Sequence, residues 1–339
     1  MEVRPNNAKR GTGLRIKNLA ADVKVTSRSF AVFGVSFLLV KNKPFRIRSR
    51  TMITLSADKD GTNLDVGHWL TSPTVYLDHW ALGELSEDDQ MTVRFAGALK
   101  ARGGTLALSW VNLAEFAIGT NVDSARKAEG FINANLPRIY FLEPNPFAVI
   151  DRENGLLAGG PPKPPHADEQ FLKAFLLFWG SNQGLSSLTL TAHGLFQTVQ
   201  AQGLARRMYE LADTFIGQIA AMRSEFENDM PFRSELRRPA RGSHVQAATR
   251  DILRELIRAL LMDKRKKVTR NDAMDFFHAV VPVTYGDFVL LDKYWETLVN
   301  RVRSRFDQVG ASVSMATVYS KKANGIERCL KWLESGGSS

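Results

Sequence analysis

The chain has 339 residues, of which 44% are hydrophobic and 24% are charged. This composition is typical of a globular protein with a core of normal size. The single cysteine, Cys329, excludes an internal disulfide and favours a reducing compartment. The longest mostly apolar run, Ala31 to Val40, is about half as long as a membrane-spanning helix. We therefore predict a cytoplasmic protein that does not bind membranes.

The positive charge is concentrated at the N-terminus. The formal net charge is +10, and residues 1–50 contain twelve Lys and Arg against Glu2 and Asp22. A basic stretch of this kind attracts polyanions, and each neutralised phosphate adds a salt-sensitive contribution to binding. The alternative interpretation is a solvated arm without a partner.

Strand and helix patterns alternate along much of the chain. A hairpin is predicted first, from strands at Ser29 to Val40 and Phe45 to Leu55. After it come strands at Thr74 to Leu77, Thr105 to Ser109 and Phe288 to Leu291, and helices at Glu87 to Lys100, around Glu115, at Asn271 to Val280 and at Tyr294 to Asp307. Short apolar strands that alternate with longer helices predict an α/β fold with a central parallel sheet.

A Pro- and Gly-rich linker, GGPPKPP at 159–165, interrupts this alternation. Helical spacing follows at Asp168 to Trp179, Gly203 to Asn228 and Ala247 to Met262, which predicts a helical insertion. The predicted organisation is a basic, β-rich extension at 1–70, the first part of the α/β domain at 71–155, linker and insertion at 156–267, and the second part at 268–335.

Acidic residues follow the predicted strands. Asp78 and Asp292 each end an apolar strand, and Glu115 lies near the start of the helix after another strand. Because the carboxyl ends of parallel strands open onto one edge of the sheet, these acids should meet there. Asp275 lies on the helix before the last strand. An Asp at a strand end is also a common helix cap, which is the alternative for each residue alone.

Converging carboxylates repel one another unless cations or protons intervene, and oxygen ligands suit Mg²⁺ or Mn²⁺. Two such ions can activate water and stabilise the leaving oxygen of a phosphodiester. Asn112 and His278 are further candidates, for holding a water or phosphate and for orienting a carboxylate. Trp295 lies close to Asp292 and could stack on a base, although a core position is the default.

Three segments together resemble the PIN-domain nucleases, especially the toxin-type ribonucleases. They are VYLD ending at Asp78, ALSWVNLAE ending at Glu115, and NDAMDFFHAVVPVTYGDFVLLDK from Asn271 to Lys293. The resemblance implies a PIN-like sheet and a metal site of Asp78, Glu115, Asp275 and Asp292, with Asp272 and Asp287 as additional or alternative ligands. It covers residues 72–150 and 268–307, so the extension and the insertion fall outside it.

The resemblance implies a Mg²⁺- or Mn²⁺-dependent endoribonuclease that acts as a toxin or defence effector, restrained by an inhibitory or assembly protein partner. RNA is favoured over DNA as the nucleic acid, and a homo-oligomer is one option for assembly. A basic cluster of Lys264, Arg265, Lys266, Lys267 and Arg270 is a candidate phosphate-binding segment, or alternatively a cationic helix end. Two other functions stay open: a structure-specific DNA nuclease, and a nucleic-acid-binding or assembly module without catalysis.

Overall fold

The computed structural model describes residues 53–57, 64–118, 122–159, 163–183, 190–238 and 248–336. The strands are β1 (Ile53–Ala57), β2 (Leu64–His68), β3 (Thr74–Leu77), β4 (Thr105–Leu108), β5 (Ile139–Phe141), β6 (Phe288–Leu290) and β7 (Thr317–Tyr319). The helices are α1 (His79–Glu87), α2 (Asp89–Ala101), α3 (Trp110–Ile118), α4 (Val122–Asn135), α5 (Pro146–Leu157), α6 (Glu169–Gln183), α7 (Ala192–Ala201), α8 (Leu204–Asn228), α9 (Met230–Arg237), α10 (Ala248–Met262), α11 (Arg270–Tyr285), α12 (Lys293–Gln308) and α13 (Gly325–Ser335).

Five strands form one parallel sheet in the order β5-β4-β3-β6-β7, which confirms the predicted α/β class. The central strand β3 pairs Val75 with Leu106 of β4 and with Phe288 of β6. The chain builds the sheet outward from β3 to β5, and it then continues on the other side of β3 with β6 and β7. The direction of winding therefore reverses between β3 and β6. In open α/β sheets, ligands bind outside the carboxyl ends of the strands at such a switch point.

Each face of the sheet is covered by helices, and successive strand residues enter opposite cores. Tyr76 and Val289 belong to one core, with residues of α5, α8, α10, α11 and α12. Val75, Leu77 and Leu290 belong to the other, with residues of α1 to α4, α6, α7 and α13. All residues of β3 are buried, as expected for a parallel strand between two helical layers.

The helices predicted as an insertion pack directly on the α/β core. In this region α8 lies against α3 and α11, and α7 lies against α3. Leu256 of α10 and Phe215 of α8 share a core with the sheet residue Tyr76. The division of the chain at residues 70, 155 and 267 stays a prediction. None of the described helices is both long and apolar enough to span a bilayer.

Several predicted elements differ from the structure. The predicted hairpin lies outside the described residues except for part of β1, which pairs antiparallel with β2. The helix predicted from Glu87 to Lys100 is α2, which begins at Asp89 because Asp88 caps it, and Glu87 is the last residue of α1. The strands β2, β5 and β7 and the helices α1, α4, α5, α7, α9 and α13 were not predicted. β5 and β7 have three residues each, too few for a periodic pattern.

Candidate metal centre

Asp78 and Asp292 lie on either side of the switch point. Asp78 directly follows β3, and its backbone N–H donates to the carbonyl of Leu290 at the end of β6 (3.1 Å). Each acid caps the helix beside it: Oδ1 of Asp78 accepts from the N–H of His79, and Oδ1 of Asp292 accepts from the N–H of Trp295 (2.8 Å). Within the described part of the chain, no donor is bonded to either Oδ2 atom. Each aspartate can therefore cap its helix with Oδ1 and still offer Oδ2 to a cation.

Glu115 is held by a fully buried histidine. Oε2 of Glu115 lies 3.0 Å from Nε2 of His278, which has no exposed side-chain surface. Nδ1 of His278 is bonded to the hydroxyl of Tyr76, which lies 3.2 Å from Oγ of Ser109. Because both ring nitrogens have protein partners, His278 orients the carboxylate of Glu115. Orientation of a carboxylate is the role for which the sequence made His278 a candidate.

Asn112 is a structural residue. Its Oδ1 accepts from the backbone N–H (2.8 Å) and the hydroxyl (3.1 Å) of Ser109, and its Nδ2 donates to the carbonyl of Leu77 (2.9 Å). The residue is completely buried. These bonds fasten the start of α3 to the end of β3. The expectation that Asn112 holds a water or a phosphate is corrected, because its amide is already used by the protein.

Asp275 enters the same group from α11. Its Oδ2 accepts from Nε1 of Trp295 (3.2 Å), and Trp295 also donates its backbone N–H to Asp292. One completely buried tryptophan therefore positions two of the acids. Base stacking by Trp295 is excluded by its burial. Its contribution to the site, as a donor to Asp275, was missed because it depends on the packing of α12 against α11.

The four acids form one electrostatic group. Asp78, Glu115 and His278 each place one potential ligand atom within 4.8 Å of the other two. Both Glu115 and Asp292 act on Asp78, and Asp275 is influenced by all three other acids. Among the described residues that most affect the pKa of Asp78 and Asp275, His278 is the only cationic group. The negative charges therefore exceed the positive ones.

This crowding makes two carboxylates hard to ionise without a cation. Burial, with the neighbouring charges of Glu115 and Asp292, raises the pKa of Asp78 to about 7. Burial and the charge of Asp78, followed by the other acids, raise the pKa of Asp275 to about 8. Burial lowers the pKa of His278, but Tyr76, Glu115 and Asp78 together raise it well above its usual value. This direction favours the form of His278 that donates from Nε2 to Glu115.

The structure places Asp272 and Asp287 elsewhere, which corrects their assignment as metal ligands. Asp272 closes a capping box with Thr269 at the start of α11 and pairs with Nζ of Lys266 (2.5 Å). Asp287 precedes β6, where its Oδ2 accepts from the N–H of Thr74 (2.7 Å). Thr74 begins β3, so Asp287 lies at the amino edge of the sheet, opposite the edge that carries Asp78.

The predicted basic segment is largely paired within the protein. Lys264 bonds to Glu227 (3.0 Å), Lys266 to Asp272, and Arg270 to Asp213 through two hydrogen bonds (2.6 and 2.7 Å). Three of the five residues therefore have acidic partners, and phosphate binding by this segment stays a prediction. The other two, Arg265 and Lys267, are exposed.

Comparison with known proteins gave no match. No protein-family model, no curated protein and no solved structure matches the chain. The resemblance to PIN-domain nucleases therefore rests on the sequence segments alone and stays a prediction.

Proposed function

We propose that the chain is a Mg²⁺- or Mn²⁺-dependent nuclease of the PIN-like type that hydrolyses phosphodiester bonds in RNA. The observation that carries this proposal is the state of the four carboxylates Asp78, Glu115, Asp275 and Asp292. Each is anchored by a hydrogen bond to one of its oxygens, and the second oxygen has no bonded donor among the described residues. Four oriented carboxylates with free oxygens form a preorganised set of cation ligands.

The donor set fits a hard cation. Because both nitrogens of His278 are engaged, the available ligand atoms are carboxylate oxygens, which suit Mg²⁺ and Mn²⁺ better than Zn²⁺. A divalent cation would also offset the charge that raises the pKa of Asp78 and Asp275. When bound, such an ion supplies an activated water and stabilises negative charge on the phosphodiester.

The protein's own residues would hold the geometry. Trp295 fixes Asp275 and Asp292 relative to each other, since it donates to both. His278 links Glu115 to Tyr76 of the central strand, so the carboxylate cannot rotate freely. The N-termini of α1 and α12 lie at the switch point, where their partial positive charge favours anions. We infer a toxin or defence effector restrained by a protein partner from the family resemblance alone.

The test is a cleavage assay on labelled RNA and DNA with Mg²⁺, Mn²⁺ or EDTA. Asp78→Asn and Asp292→Asn keep the side-chain oxygen that caps each helix and lose the charge. Asp88→Asn is the matched control, because Asp88 caps α2 in the same way and is exposed. We expect metal-dependent RNA cleavage by the wild type and the control, and a loss of about a hundredfold or more in both site variants.

The choice of nucleic acid in this assay distinguishes the alternative functions. Cleavage of DNA junctions or flaps in preference to RNA would replace the ribonuclease with a structure-specific DNA nuclease. Equal cleavage by the wild type and both site variants would refute the site. Binding of nucleic acid without cleavage of any substrate would favour the non-catalytic module.

A further inference from the structure

A second pair of buried acids lies at the carboxyl end of the edge strand β5. Glu143 follows this strand, and its N–H donates to the carbonyl of His166 (2.9 Å). Asp168 precedes α6, and its N–H donates to the carbonyl of Phe141 (2.9 Å). Their exposed fractions are 8% for Glu143 and 3% for Asp168. Two backbone bonds therefore bring two acids together away from the four acids at the switch point.

The hydrogen bonds of this pair leave it incomplete. Glu143 accepts from Arg152 (2.6 Å) and from the N–H of Asn145 (3.2 Å). Oδ1 of Asp168 accepts from the N–H of Phe171 (2.9 Å), which caps α6. Oδ2 of Asp168 is buried and has no hydrogen-bond partner. A buried carboxylate oxygen without a partner is costly, so Oδ2 of Asp168 needs a proton, a water or a cation.

A cavity of about 30 Å³ is lined by residues that include both acids. Gln170, Gln202 and Trp110 also line it. A water needs roughly 10–15 Å³, so the cavity is large enough for an ion and about one water. We propose that Glu143 and Asp168 hold a hard divalent cation, such as Ca²⁺, in this cavity.

The charges and ligands support a cation over water alone. Arg152 donates to Glu143 and not to Asp168, so Asp168 has no cationic hydrogen-bond partner among the described residues. Each carboxylate accepts about four hydrogen bonds, so oxygen lone pairs remain on both acids. Flexible carboxylate and amide oxygens are the ligands that Ca²⁺ takes.

The site would join the segment before α6 to the sheet. Arg152 already donates to the carbonyls of Pro165 (3.0 Å) and Ala167 (2.9 Å). A cation between Glu143 and Asp168 would add a further link between the end of β5 and the start of α6. This role is independent of nucleic-acid cleavage, and it predicts stabilisation by metal even when the acids at the switch point are removed.

The experiment uses the full chain with Asp78→Asn and Asp292→Asn, so that the first site is disabled. Ca²⁺ and Mg²⁺ are titrated while the melting temperature is followed, and Tb³⁺ luminescence excited through tryptophan reports an ion near Trp110. Asp168→Asn is then added, which keeps the oxygen that caps α6. Asp307→Asn, an exposed acid on α12, is the control for loss of one negative charge.

We expect Ca²⁺ to raise the melting temperature and to displace Tb³⁺, with apparent affinity falling at least tenfold on Asp168→Asn and staying unchanged on Asp307→Asn. An equal Ca²⁺ response with and without Asp168→Asn would overturn the proposal. So would the absence of any divalent-ion effect, since a proton on Asp168 would then satisfy its buried oxygen.

Discussion

Removal of one acidic charge from the metal centre should stabilise the metal-free protein. Burial and the neighbouring acids raise the pKa of Asp78 to about 7 from an ordinary value of 3.8. A carboxyl with a raised folded-state pKa contributes stability that is complete below pH 3.8 and is lost as the pH rises through about 7. The ionised form therefore costs up to about 4 kcal/mol at pH 8, at 1.36 kcal/mol per pKa unit.

Asp78→Asn removes this cost and keeps a side-chain oxygen that can accept from the N–H of His79. In EDTA at pH 8, we expect the variant to melt several degrees above the wild type. The difference should shrink as the pH falls towards 4, because Asp78 in the wild type then becomes neutral. Mg²⁺ or Mn²⁺ should stabilise the wild type and have a much smaller effect on the variant.

Thermal unfolding monitored by circular dichroism, across pH 4 to 8 and with or without metal, measures both effects. Asp88→Asn is the control, since it changes an exposed helix cap of the same kind far from the acidic group. If Asp78→Asn is less stable than the wild type in EDTA at pH 8, or if its advantage does not depend on pH, the charge-crowding argument is refuted.

Three further predictions follow from the positions of the other residues. Asp272→Ala and Asp287→Ala should each destabilise the fold and leave the metal dependence of cleavage unchanged. For Asp272→Ala, which breaks the capping box with Thr269, we expect a loss of about 1 kcal/mol. His278→Gln should weaken metal binding by about 10- to 100-fold, with activity recovered at high Mn²⁺, because Glu115 loses its orienting partner. Deletion of residues 1–50 should weaken RNA binding and flatten its salt dependence, because the excess positive charge lies there.

Each of these predictions has its own contradicting result. Loss of cleavage at full stability in Asp272→Ala or Asp287→Ala would return that residue to the catalytic site. For His278→Gln, the matched control is His193→Gln on the exposed face of α7. If the two variants bind metal with equal affinity, His278 has only a packing role. An unchanged salt slope after deletion of 1–50 would mean that this charge serves another partner.

The carboxyl edge of the sheet could be predicted from sequence because its signals are local. Apolar runs that end in Asp78 and Asp292 place both acids by strand geometry alone. The same geometry could have excluded Asp287, since a residue that precedes a parallel strand lies at the opposite edge. The capping box from Thr269 to Asp272 was also a readable pattern, and it would have favoured Asp275 as the acid facing the site.

The residues that hold the acids could not be found in this way. Tyr76 and His278 are 202 positions apart in the sequence, and Trp295 lies 20 positions from Asp275. Their contacts depend on how α11 and α12 pack against the central strands, which no local pattern specifies. The short strands β5 and β7 were missed for a related reason, because their burial comes from the helices that cover the sheet.

The two strand-end aspartates have the same backbone conformation, with φ −66° and ψ 166° at Asp78 and φ −66° and ψ 168° at Asp292. This geometry lets one carboxylate oxygen start a helix while the other faces the switch point. A cap therefore orients a ligand, and the two roles can be separated by substitution. Asparagine can keep the cap and removes the charge, whereas alanine removes both. The stability difference between the Asn and Ala variants thus measures the cap, about 1 kcal/mol, and a shared loss of metal response measures the charge.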